Sequence, residues 1–146
     1  MQTLRSRIGR VVTAAALAVA GGMLAVPVAA QAEESALFEF TDQQQRDTFV
    51  IKLTNPDRIA EARRILSGEE QRRTHVMGRF IKRPADYNPR WGFQYDPDTI
   101  QFFEVAIEVC DSSIQYLEDH LDEAGGAFLP GYFWCPWASK LTREIK

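Results

Sequence analysis

The chain has 146 residues, of which 17 are basic and 20 are acidic, giving a formal net charge of −3. This length provides for one domain with one hydrophobic core. The acidic balance argues against nucleic acid, and equally against anionic lipid, as a partner bound through a broad basic surface.

The first 32 residues predict a secretory signal peptide. Three arginines and no acidic residue are followed by an apolar run over residues 11–26 and a small-residue exit, so we expect cleavage after Ala32. A membrane anchor is the alternative, but this run is shorter than the roughly 20 residues that a spanning helix needs. Cleavage would leave residues 33–146 with 14 basic against 20 acidic side chains. We therefore expect a secreted, extracellular protein without a stable membrane anchor.

The chain after residue 33 begins with the pattern of a hairpin followed by a helix. Residues 36–40 and 48–53 alternate apolar and polar side chains on either side of a polar turn, which indicates two antiparallel strands with one buried face. The next segment has Asn55 as a helix cap, Pro56 in the first turn and Gly68 as the stop.

Two further strands and a longer apolar segment follow. Residues 74–82 carry apolar side chains on both faces, which predicts a central strand, and Gly78 marks a bulge or a close approach. Residues 91–95 alternate and end in a turn at Asp96-Pro97-Asp98. The alternation of apolar residues over 103–109 favours a strand over a helix.

The last part of the chain predicts a second helix and a final strand. The helix is capped by the serines near residue 112 and continues from Ile114 to Ala124, and residues 141–145 form the strand. The order of elements predicts an α+β fold, in which two helices lie on one face of a mostly antiparallel sheet of about five to six strands in a two-layer, single domain over residues 33–146.

Cys110 and Cys135 are the only cysteines, and in an exported chain a disulfide between them is expected. The bridge would tie the end of the predicted strand to the aromatic segment beyond the second helix. A catalytic thiol is an alternative that needs His75 or His120 as a partner, and a zinc site would lack the usual paired spacing of its ligands. We therefore expect no metal and no cofactor.

Long stretches of the sequence resemble a known family. The segments FVIKLTNPDRIAEARRIL, THVMGRFIK, WGFQYDPDTIQFFEVAIEVCDSSIQYLEDHLDEAGGAFLPG and WCPW are similar to the N-terminal domain of the slime-mould-type calmodulin-binding protein family, over about residues 37–145. The family name implies calmodulin as a partner. The leader is typical of a bacterial secreted protein, however, and the basic amphipathic helix that calmodulin binds is absent from the sequence, so calmodulin is not expected. Gln94 stands where the family often has histidine, which argues against a metal or acid/base role there.

Acidic side chains allow an enzymatic alternative. Glu104 and Glu108 lie on one face of the predicted strand, about 13 Å apart, which is too far for a retaining carboxylate pair. With Asp111 they define the alternative of a small secreted metal-dependent hydrolase. Neither His75 nor His120 has a nucleophile at a recognisable spacing. An extracellular protease inhibitor is a further alternative, because it shares the small size, the disulfide and an exposed loop.

The aromatic residues are the candidate binding site, and their pattern has two interpretations. They could form a platform for an extracellular protein, peptide or glycan, or they could pack over the sheet and shield the disulfide. We expect three of them, Tyr87, Trp91 and Tyr132, to be the most exposed. The candidates are Tyr87, Trp91, Tyr132, Trp134 and Trp137. The favoured function is a secreted, disulfide-clamped binding domain without catalytic activity.

Overall fold

The computed structural model describes residues 34–146, so the predicted signal peptide lies outside the described residues. In chain order the regular elements are β1 (Ala36–Asp42), β2 (Thr48–Leu53), α1 (Pro56–Ser67), β3 (His75–Ile81), β4 (Gln94–Tyr95), β5 (Gln101–Phe103), α2 (Ile114–Asp119), β6 (Phe133–Trp134) and β7 (Ser139–Ile145). Three short 3-10 turns lie at Pro97–Thr99, Glu108–Cys110 and Pro130–Tyr132. None of the helices within residues 34–146 has the length and apolarity to cross a membrane.

The first sheet has three antiparallel strands in the order β2, β1, β7. The predicted hairpin is confirmed, with Phe38 opposite Ile51 and Phe40 opposite Phe49, and all four side chains are fully buried. The predicted final strand pairs with the other side of β1, and the register shifts between Glu39 and Phe40. Alternation in the sequence therefore predicts the buried face of this sheet correctly.

Helix α1 begins and ends where the local sequence predicts. The Asn55 side chain accepts hydrogen bonds from the backbone N–H groups of Asp57 (2.8 Å) and Arg58 (3.3 Å), which satisfies two donors that the first turn leaves unpaired. Gly68 ends the helix at φ 84°, in the left-handed region that a residue with a Cβ rarely adopts. The helix buries Ile59 and Ala62 in the core.

The second sheet is built around β3, as the apolar residues on both of its faces predict. Strands β4, β5 and β6 all pair with β3 in antiparallel orientation. The predicted close approach at Gly78 is confirmed, because a Cβ there would lie 3.1 Å from the Thr99 hydroxyl and 3.2 Å from the Tyr95 ring. The Val76 N–H donates to the Ser139 hydroxyl (3.0 Å), which connects this sheet to β7.

The α+β class is confirmed, and the seven strands form two small antiparallel sheets that share one core. Helix α2 is shorter than predicted, because it ends at Asp119 and not near Ala124. The His120 ring Nδ1–H donates to the Tyr116 carbonyl (2.8 Å), and the His120 backbone N–H bonds to the Leu117 carbonyl (3.2 Å). The histidine side chain thus takes the acceptor that the next helical turn would need.

Candidate binding surface

The predicted disulfide between Cys110 and Cys135 is present, with the two Cα atoms 5.2 Å apart. A backbone hydrogen bond from the Cys135 N–H to the Cys110 carbonyl (2.8 Å) reinforces the connection. Both cysteines are buried in a small apolar cluster that includes Phe103 and is flanked by Met77 and Trp137. The bridge therefore fixes the chain before α2 to the chain that follows β6.

The segment after Phe103 does not form the predicted strand. Strand β5 ends at Phe103 because this residue pairs with His75, which is the first residue of β3, so later residues have no partner strand. Residues 104–109 instead leave the sheet as an exposed segment that ends in the 3-10 turn Glu108–Cys110. We refer to residues 104–109 as the anchored loop, since β5 holds its start and the Cys110 disulfide holds its end.

The anchored loop places three aliphatic side chains in water. Val105 is 74% exposed, Ile107 is 69% exposed and Val109 is 52% exposed, whereas the other large aliphatic residues within 34–146 are buried or half-buried. The backbone of Ile107 is extended, at φ −75° and ψ 142°. Among residues 34–146, no acceptor bonds the backbone N–H groups of Val105, Ala106 or Ile107. Exposed apolar side chains next to free donors are typical of a surface that another molecule covers.

A recess of about 310 Å³ lies beside the end of this loop, lined by Glu108, Asp111 and Trp137. The Asp111 carboxylate accepts a hydrogen bond from the Trp137 backbone N–H (2.9 Å), which holds the acidic group in place. The Trp137 ring packs edge-on against Phe103, with centroids 5.9 Å apart. Its buried Nε1–H has no acceptor within residues 34–146. The recess thus offers two carboxylates and one free donor next to the aliphatic side chains.

One family model matches residues 34–146, which is the whole described part of the chain, and it is the model of the N-terminal domain of the slime-mould-type calmodulin-binding protein. The chain belongs to this N-terminal domain family. The resemblance noted from the sequence is thereby confirmed. No curated protein and no solved structure matches the chain.

In this member of the calmodulin-binding protein N-terminal domain family, two of the aromatic candidates are core residues and not surface ones. Trp134 is fully buried, and its Nε1–H donates to the Ser112 carbonyl (3.0 Å). Trp91, which we expected to be exposed, is also buried, and its Nε1–H donates to the Thr48 carbonyl (2.9 Å). Each indole fills a space over a sheet and satisfies its one polar group internally, so neither side chain is accessible to a ligand.

The other aromatic candidates lie at separate places. Tyr87 is half-buried and donates to the Gln94 side-chain carbonyl (3.3 Å), and its burial raises its pKa. Trp137 belongs to the recess beside the anchored loop. Tyr132 is 47% exposed and its backbone is left-handed, at φ 60°. The predicted platform of five aromatic side chains is therefore not assembled.

Tyr132 is held on a tight turn in which Leu129, Gly131 and Tyr132 all have positive φ. Its ring lies directly on Gly125, where a Cβ would approach the ring to 2.3 Å, and packs edge-on against Phe80. A large side chain in the left-handed region stores strain, which proteins often retain where a side chain must be presented. Tyr132 is the aromatic candidate that is well placed to contact a partner.

The carboxylates of the enzymatic alternative do not share one site. Glu104 forms an ion pair with Arg72 (3.1 Å) and lines a cleft with Glu70, Arg72 and Arg73. Glu108 lines the other recess, with Asp111. Within residues 34–146, no three His, Cys, Asp or Glu side chains are grouped closely enough to hold a metal ion. The strand geometry on which their spacing was predicted is also absent, because β5 ends before Glu104.

Both histidines have their ring orientation fixed by backbone acceptors. The His75 Nδ1–H donates to the Ser139 carbonyl (2.8 Å), and the ring packs against Phe103 at the edge of a cleft of about 350 Å³. The His120 ring stacks on Tyr116, with centroids 4.0 Å apart. Each imidazole thus has a local packing partner, and neither lines the carboxylate recess beside the anchored loop.

No direct signal in the sequence identifies the anchored loop as the exposed surface. Its alternating Val and Ile residues are typical of a half-buried strand, which is the structure that we predicted. The available signal was the interruption by Glu104 and Glu108, which leaves few apolar side chains for the second face. The decisive information is the length of β3, and that depends on contacts distant in sequence.

Proposed function

We propose that this family member is an exported, non-catalytic domain that binds another protein through the anchored loop. The observation that carries the proposal is the exposure of Val105, Ile107 and Val109 on a segment fixed at both ends. Soluble monomers seldom expose such a group of apolar side chains unless a partner covers it. A loop that is already ordered loses little conformational entropy when it binds.

The disulfide and the acidic charge support the setting of this proposal. A buried bridge between Cys110 and Cys135 is typical of proteins that function in an oxidising compartment, in agreement with the predicted signal peptide. The excess of acidic side chains disfavours nucleic acid as the partner. An extracellular protein or peptide fits the anchored loop better than a glycan does, because the loop presents aliphatic and not aromatic side chains.

A capture experiment with matched variants tests the proposal. Extracellular proteins of the source organism are passed over the immobilised wild-type domain, over the variant Val105→Ser/Ile107→Ser/Val109→Ser, and over Tyr132→Ser. We expect a partner that the wild type and Tyr132→Ser retain and that the triple variant loses. The triple variant should remain folded, because the three side chains are exposed. Retention of the same proteins by the triple variant would remove the anchored loop from the function.

A further inference from the structure

The anchored loop has the backbone geometry of a bound peptide substrate. Proteins that bind extended peptides form hydrogen bonds to the main chain and receive alternate side chains in pockets. The loop supplies both features, since Val105 and Ile107 alternate on an extended segment and the N–H groups of residues 105–107 are unbonded within residues 34–146. An endopeptidase cleft is a groove that must recognise these two features in any substrate.

The ends of the loop are held more firmly than those of an ordinary substrate. Phe103 pairs with His75 at the start, and Cys110 is cross-linked to Cys135 directly after the end. The Cys110 N–H also bonds to the Ile107 carbonyl (3.4 Å), so the exposed residue is tied to the anchor itself. A segment held in this way binds with little entropic cost, and its two ends would stay together if the peptide bond were cut.

We propose that the anchored loop occupies the substrate cleft of an extracellular endopeptidase, with Ile107 in an apolar specificity pocket, and so makes this domain a protease inhibitor. This inference rests on the proposed function, because it names the partner of the same loop. Ile107 is the largest exposed side chain in the loop and is the one nearest the disulfide anchor that has an extended backbone. Its aliphatic chemistry selects enzymes with apolar pockets over trypsin-like enzymes, whose pocket is acidic at its base.

The charges near the loop agree with this selection. Glu104 and Glu108 flank the aliphatic residues, and the recess beside the loop carries Asp111. These carboxylates add like charge against any cleft whose specificity pocket is itself acidic, which costs affinity. The wild-type domain should therefore leave a trypsin-like enzyme active.

The test titrates the purified protein, with its disulfide intact, against pancreatic elastase, subtilisin and trypsin. We expect inhibition of elastase or subtilisin and none of trypsin. The variant Ile107→Lys should weaken inhibition of the first two enzymes by at least about tenfold, which corresponds to about 1.4 kcal/mol, and should create inhibition of trypsin. The matched control Tyr132→Lys adds the same charge at a distant exposed site and should leave all three results unchanged.

Reduction provides a second measurement on the same protein. With the disulfide reduced, the loop loses one anchor, and we expect the same enzymes to cut it and to recover activity. Absence of inhibition by the oxidised wild type, or an Ile107→Lys variant that does not inhibit trypsin, would overturn the inference. If capture of a partner still depends on the loop in that case, only the protease identity fails and the binding function stands. If capture is also independent of the loop, both proposals fail.

Discussion

The indole of Trp134 stacks on the phenol ring of Tyr95, with ring centroids 5.0 Å apart and planes inclined by 19°. The Tyr95 hydroxyl also donates to the backbone carbonyl of Trp134 (3.2 Å), so the two residues connect strands β4 and β6 through both ring and hydroxyl. Burial raises the pKa of Tyr95 well above its ordinary value, which keeps the hydroxyl protonated as a donor. This pair lies at the centre of the core that both sheets share.

Replacing Trp134 with Ala should therefore destabilise the fold strongly. The indole also contacts Phe40, Phe49 and Phe93, and its loss leaves a large cavity and an unpaired Ser112 carbonyl. We expect the free energy of unfolding to fall by about 3–5 kcal/mol, measured by urea denaturation. Tyr132→Ala, at a half-exposed aromatic residue, is the control and should cost much less. Equal losses in the two variants would contradict the assignment of Trp134 to the core.

The disulfide should contribute stability through the unfolded state. A cross-link between positions 25 residues apart restricts the unfolded chain and stabilises the fold by roughly 3.5 kcal/mol in the chain-entropy model. We expect Cys110→Ser and Cys135→Ser each to lower the free energy of unfolding by a few kcal/mol, and the double variant to lose little more than either. Thermal denaturation of the wild type with and without a reductant checks the result. Melting that is the same in both conditions would show that the bridge contributes nothing.

Local sequence signals account for much of the fold. The hairpin, the cap at Asn55 and the stop at Gly68 follow from alternation and from helix-end chemistry, which act within a few residues. The disulfide follows from there being one pair of cysteines in a chain that is expected to be exported. In each of these cases the physical cause lies close in sequence or is set by the number of partners.

The surface could not be read in the same way. The alternation of Val105, Ile107 and Val109 requires a partner strand and a covering layer to become a strand, and β3 ends its pairing at His75. The burial of Trp91 and Trp134 likewise depends on which elements lie above them after folding. Propensity describes what a segment can form, whereas exposure is decided by contacts across the chain.

The buried carboxylate of Glu61 should matter more than an exposed ion pair. It is 2% exposed, pairs with Arg58 one turn earlier in α1, and lies 3.1 Å from Arg73 in the connector before β3, without hydrogen-bond geometry to that second guanidinium. We expect Glu61→Ala to lower the free energy of unfolding by about 2 kcal/mol, less than for a fully buried pair because both arginines reach water.

The control for this prediction is Glu144→Ala, which removes the more exposed pair with Arg63 (2.8 Å) between β7 and α1. Exposed pairs of this kind contribute about 0–1 kcal/mol, because water and side-chain entropy offset their attraction. Urea denaturation of both variants at neutral pH measures the difference. A Glu144→Ala loss as large as that of Glu61→Ala would mean that burial does not set the strength of these pairs.

Acid should destabilise the domain through carboxylates that the fold keeps ionised. Hydrogen bonds from Arg143 lower the pKa of Glu39 between β1 and β7, and a hydrogen bond from Arg63 lowers the pKa of Glu144. A carboxylate whose pKa is lower in the folded state stabilises the fold at pH values above its unfolded pKa, near 4.5. That contribution is lost as the pH falls further, through the folded pKa.

We therefore expect the urea midpoint to stay nearly constant from pH 7 to pH 5 and to fall below about pH 4.5. The variant Glu39→Gln cannot lose this charge, so its midpoint should be lower at neutral pH and should fall less steeply in acid. Glu123→Gln is the matched control, because Glu123 is exposed and forms no ion pair within residues 34–146, and its profile should follow the wild type. A Glu39→Gln profile parallel to the wild type would show that the pair with Arg143 does not couple protonation to folding.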